Sequence, residues 1–169
     1  LAIVAILPIV TGAIFRISAL AIGGTSVLIV VSVALDTQKS LEAVQNTEKL
    51  AYEYGNQQIE QEHLLYSLLT VEDSLILKLI TKMNVQKEQF LNEAAQAIEK
   101  LPKVSGGQLY ISNDLNKVLI SAEDEAKAMG DEYVSVEHLF LAMLKQPSRM
   151  VKELFRSYAV TRENFLQAL

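Results

Sequence analysis

An all-α fold is predicted from three observations. The chain aligns with itself, without a gap, at a shift of 75 residues. Apolar side chains recur at helical spacing within each copy. Capping residues and glycines punctuate those stretches. The expected architecture is an eight-helix domain of two four-helix repeats related by a pseudo-twofold axis. One or two apolar, transmembrane-like helices precede it. The expected division is an apolar segment 1–36, a first repeat 37–100, a linker 101–112 and a second repeat 113–169.

The apolar segment comes first. From Leu1 to Leu35 the only charged residue is Arg16, whereas the remainder carries fourteen Lys and Arg against twenty Asp and Glu. Ile17 to Leu35 is an uncharged stretch of nineteen residues, which as a helix spans about 28 Å, close to a bilayer core. Gly23-Gly24-Thr25-Ser26 weakens a straight helix there. A signal peptide fits poorly, because no basic start precedes the apolar run. The chain opens on Leu rather than Met and reads as a piece of a longer protein.

In the first repeat, Lys39 to Tyr54 sets Leu41, Val44, Leu50 and Ala51 at helical spacing, and Gly55 is the stop. Glu60 to Leu69 follows, with Leu64, Leu65, Leu68 and Leu69 apolar. Asp73 or Ser74 caps a third helix through Met83, and a fourth runs from about Gln86 to Lys100. Pro102, Gly106 and Gly107 mark the linker. The second repeat gives Asn113 to Met129, Ser135 to Lys145, Ser148 to Ser157 and a helix from Arg162. Ser112 or Asn113 caps the first of these and Ser135 the second. Identical pairs include Gly55/Gly130, Glu62/Glu137, His63/His138, Phe90/Phe165 and Leu91/Leu166.

Composition removes several functions. There is no cysteine, hence no disulfide and no thiolate chemistry. A net charge of −5 disfavours nucleic acid. No Gly-x4-Gly-Lys-Ser/Thr motif is present, and no nucleophile–base pair stands out. The two Glu-His pairs, Glu62-His63 and Glu137-His138, read as the starts of equivalent helices rather than as a metal set, for want of a third ligand. No enzyme activity, catalytic residue, cofactor or metal is expected.

Glu60-Gln-Glu-His-Leu-Leu-Tyr-Ser-Leu-Leu69 and Ser135-Val-Glu-His-Leu-Phe-Leu-Ala-Met-Leu144 resemble the paired signature of the Clp amino-terminal domain. Leu101-Pro102 and Ser112-Asn-Asp-Leu-Asn-Lys-Val-Leu119 are similar to the ClpB-type disaggregase. The resemblance covers about 37–169. It implies a cytoplasmic chaperone module without its own ATPase, engaging unfolded or aggregated polypeptide or an adaptor protein. It also implies that Thr37, Asp131 and Glu137 border a groove for exposed apolar peptide. Capping and turn chemistry account equally well for those three. Tyr110, Ile111 and Tyr133 are further candidates for such a surface.

Ile22 to Lys39 resembles the last transmembrane helix of the SecY protein-conducting channel, and Leu1 to Val10 the end of the helix before it. The pore and plug helices of that family have no counterpart in this stretch, so no transport activity follows. Residues Thr37 to Ala43 suit both families, whereas Asp36 stands where the Clp family usually has an aromatic residue. A chimeric chain is the expectation, with one continuous helix through the junction. The alternative function is a channel fragment that anchors a Clp domain at the cytoplasmic face of the plasma membrane through 1–35.

Overall fold

Helix α1, Gln38–Glu53, buries Ala43, Val44, Thr47, Leu50 and Ala51 along one stripe. It ends at Gly55, whose φ of +73° is open to glycine at little steric cost. A two-residue strand β1, Gln58–Ile59, leads into α2, Gln61–Thr70. Helix α3, Leu75–Lys82, is capped by Ser74, whose Oγ accepts from the Leu77 amide at 3.0 Å. Helix α4, Lys87–Glu99, closes the first repeat. Strand β2, Tyr110–Ile111, precedes α5, Asn113–Ala128, and Gly130 repeats the stop of Gly55 at φ +80°. Helices α6, Val136–Lys145, α7, Arg149–Ser157, and α8, Arg162–Ala168, complete the second repeat. This computed structural model describes residues 35, 38–104 and 106–169.

The centre is set by α2 and α6. In α2, polar Gln61, Glu62, His63 and Ser67 are buried alongside Leu64, Leu65, Leu68 and Leu69. Helix α6 buries every residue from His138 to Met143. A helix covered on all sides belongs in the interior. The repeats interlock around this pair: α3 packs on α6 and α8, α4 on α7, and α2 on α5, α6 and α7. Phe90, Phe140 and Phe165 are among the largest fully buried side chains. Phe140 touches Phe165 at a ring separation of 4.7 Å and Phe155 at 5.5 Å. Phe90 of the first repeat meets Tyr158 of the second edge-on at 5.2 Å.

The strands are exchanged between repeats. Strand β2, just before the second repeat's opening helix, runs parallel to β1 of the first repeat, with Gln58 opposite Tyr110 and Ile59 opposite Ile111. Leu35, before α1, forms a parallel bridge with Val134, before α6. Each repeat therefore has its entry segment paired to its partner repeat. This corrects the expected continuous helix at the junction: Leu35 is extended, because its backbone pairs with Val134, and it packs on the domain core. Among the described residues no helix is long and apolar enough to cross a membrane. Residues 1–34, with the channel resemblance and the anchor placed there, lie outside the described residues, as does Thr37.

Candidate functional site

The two Glu-His signatures fold as helix starts. His63 Nδ1 accepts from the Glu60 amide at 2.9 Å, the Glu60 side chain accepts from the amide of His63, and the two close a capping box. His138 does the same with Ser135, again at 2.9 Å. With Nδ1 an acceptor, Nε2 carries the proton in each ring. His63 Nε2 donates to Asn56 Oδ1 and His138 Nε2 to Asp131 Oδ2, both at 2.9 Å. Both nitrogens of each ring are committed. Neither has a lone pair left for a metal, and among the described residues no cluster of His, Asp or Glu is placed to hold one. Burial lowers the His63 pKa to about 4, so this ring is neutral at physiological pH.

Asn56 and Asp131 are equivalent in the repeat, yet their surroundings differ. Asn56 is only 2% exposed. Its amide nitrogen donates to the Pro102 carbonyl at 3.0 Å and the Leu101 carbonyl at 3.5 Å. The Val104 amide donates to the Gly55 carbonyl at 3.1 Å. The linker thus lies over the first repeat's turn. Among the described residues nothing lies over the second repeat's turn in the same way, and Gly130, Asp131, Glu132 and Tyr133 are all exposed. The Asp131 side chain stays 52% exposed while it orients His138. Tyr133 is 49% exposed, and Met129 beside it is also exposed.

Glu62 and Glu137 diverge in the same way. Glu62 is buried, accepts from Ser148 Oγ at 2.7 Å, and leaves its second oxygen without a partner. Burial raises its pKa. Glu137, half-buried in the first turn of α6, makes no ion pair among the described residues. Of the sequence candidates, Asp131 and Tyr133 lie in the turn before α6 and Glu137 in its first turn. Tyr110 and Ile111 lie on β2 instead, paired to the first repeat.

The fold and this geometry can be set beside known proteins. The Clp repeat (R) N-terminal domain family matches residues 36–158. The chain belongs to this family. The Clp domain is 35% identical over 139 residues to chaperone protein ClpB of Nitratidesulfovibrio vulgaris, a match covering 79% of this chain and 16% of the relative. The chain therefore spans about one-sixth of the length of the curated relatives it matches. In three dimensions it resembles the Hsp104 N-terminal domain of Candida albicans, with a TM-score of 0.70 at 18% identity over 79% of this chain and 88% of that one. It also resembles the ClpV N-domain in its complex with VipB peptide, with a TM-score of 0.63 at 20% identity over 80% and 88%.

Two features of the Clp domain gave no sign in the sequence. Gln61 stands inside the first helix signature with no role read for it, but it is 1% exposed and bridges the repeats. Glu125 reads as one acid in a run of three, yet it is buried and paired with Arg162 at 2.8 Å. Neither shows its burial in the sequence, because each is fixed by a contact distant in sequence.

Proposed function

We propose that the Clp domain is the polypeptide-binding module of a ClpB-type ATP-dependent chaperone, engaging unfolded or aggregated protein or an adaptor. ATP turnover belongs to other parts of such a chaperone. The repeats are taken as 37–100 and 113–169, with 101–112 between them. The observation that carries this reading is the exposed turn Met129–Tyr133, which contains Asp131 and leads into α6 with Glu137 in its first turn. Asn56 orients His63 as an amide, so the fold needs only an acceptor at the equivalent place. A carboxylate at Asp131, half exposed, exceeds that requirement. Exposed Met129 and Tyr133 offer apolar contact, and the two acids offer acceptors for peptide amides. Thr37 is assigned to the same rim on the family resemblance. The likeness to a ClpV N-domain solved with a peptide is consistent with this use of the fold.

The test is binding of a permanently unfolded model protein to the full chain, read by fluorescence anisotropy. Asp131→Asn keeps the His138 acceptor, so its thermal midpoint is expected to stay near that of the parent. Its affinity, and that of Glu137→Gln, is expected to fall by about threefold to tenfold, as a charge-assisted hydrogen bond is replaced by a weaker neutral one. Parent-level affinity in Asp131→Asn, Glu137→Gln and Tyr133→Ser alike sinks the assignment.

A further inference from the structure

A second recess lies at the other end of α6. The end of α6, helix α7 and the turn into α8 border an open groove of about 750 Å³. Leu144, Phe155 and Val160 supply apolar lining. Lys145, Lys152, Arg156 and Arg162 supply positive charge, in a chain whose net charge is −5. Beneath them sits Glu125, 4% exposed, with its Oε2 at 2.8 Å from Arg162 and its Oε1 at 3.9 Å from Lys145. One buried carboxylate holds two cations in position and offsets one charge. Lys152 and Arg156 pair with no carboxylate among the described residues.

Helix stability accounts for part of this cluster only. Lys145 and Arg156 stand in the last turns of α6 and α7, where a cation opposes the macrodipole. Lys152 lies mid-helix, and Arg162 opens α8, where the dipole disfavours a cation. Repeat ancestry does not account for it either. The equivalent places in the first repeat hold Thr70, Leu77, Thr81 and Lys87, and Leu50 stands where Glu125 does. Only Lys87 keeps a cation, so three of the four cations and the buried acid belong to the second repeat alone.

We infer that this groove binds an acidic peptide segment of a partner protein, its carboxylates on the four cations and one apolar side chain on the lining. Charge complementarity identifies the occupant. Residues 1–34 contain no Asp or Glu, so they do not supply it. The volume lies within the roughly 300–1,000 Å³ of a ligand-sized recess, which suits a few residues rather than a folded face. The apolar lining and the overall negative charge favour peptide over nucleic acid. This site goes beyond the proposed polypeptide-binding rim, from which the ten-residue α6 separates it by about 15 Å.

The probe is a labelled acidic peptide with one central Leu, titrated into the full chain and followed by anisotropy. Saturable binding is expected, weakening as ionic strength rises from about 0.1 M to about 1 M and the Debye length shrinks from about 10 to about 3 Å. Lys152→Glu with Arg156→Glu is expected to weaken it about tenfold or more. Lys152→Ala with Arg156→Ala should give a smaller loss in the same direction. Equal binding by the Asn/Gln version of the peptide, or by the version with Ser in place of Leu, overturns the inference. So does parent-like affinity in both double variants, or tighter binding of an oligonucleotide of the same charge. Any of these leaves the Asp131 rim untouched, since that rests on unfolded-protein binding.

Discussion

His63 ties acid stability to a single ring. Its pKa is about 4 in the fold and near 6.5 when exposed, so protons bind the unfolded chain more readily in between. A depressed folded value contributes stability that is complete above about 6.5 and is lost as pH falls toward 4. The contribution is of order 3 kcal/mol. Glu62 and Glu60 act with the opposite sign, because burial raises both: their effect favours the fold at acid pH and diminishes as pH rises. Urea denaturation of the parent and of His63→Gln at a series of pH values separates the two. The variant is expected to be less stable at pH 7 and to lose less on acidification. An unchanged slope between the two proteins contradicts the account. The sequence placed His63 at a helix start, and the structure agrees. What it does not reveal is that Asn56, seven residues earlier, takes the second ring nitrogen, since a turn's closing geometry leaves no periodic trace.

The Gln61 side chain joins three helices at the scale of elements. Its Nε2 donates to the Asp114 carbonyl of α5 at 3.0 Å and to the Gln146 carbonyl after α6 at 2.9 Å. Its Oε1 accepts from the Ser148 amide, at the cap of α7, at 2.8 Å. Gln61→Ala leaves the buried Ser148 amide without its partner and breaks both carbonyl contacts, and is expected to cost about 1–3 kcal/mol in a urea titration. A loss below about 0.5 kcal/mol, typical of a surface change, contradicts the latch. Helix placement was legible for a clear reason: apolar spacing, Ser112, Ser135, Gly55 and Gly130 act locally. The strands were not, because two residues carry no alternation to detect. Of the site, Asp131 and Glu137 came from family resemblance, and their openness depends on where the linker lies.

Across the whole molecule the repeats have one core rather than two. Phe90 of α4 meets Tyr158 after α7, and Lys82 Nζ donates to the Ala168 carbonyl at 2.7 Å. Burial, together with the hydrogen bond that its OH donates to Glu93 Oε1 at 2.6 Å, pushes the Tyr158 pKa up to about 12. Removing either repeat strips apolar surface from the other. The prediction is a single unfolding transition, coincident by far-ultraviolet circular dichroism and tyrosine fluorescence. Phe165→Ala, which opens a cavity beside Phe140, is expected to cost about 3–5 kcal/mol and to shift both probes together. Two separated transitions, or a folded 38–100 fragment, would argue for independent repeats.

The exchanged strands also decide how the molecule bears load. Leu35 leads into the first repeat but is fastened to Val134 in the second. A pull on the amino end therefore reaches the second repeat before it reaches α1. Among the described residues it is carried there by the Leu35–Val134 bridge, next to the turn with Tyr133. Traction from that side acts on the rim where a client is proposed to sit, so grip and tether share a single mechanical anchor point.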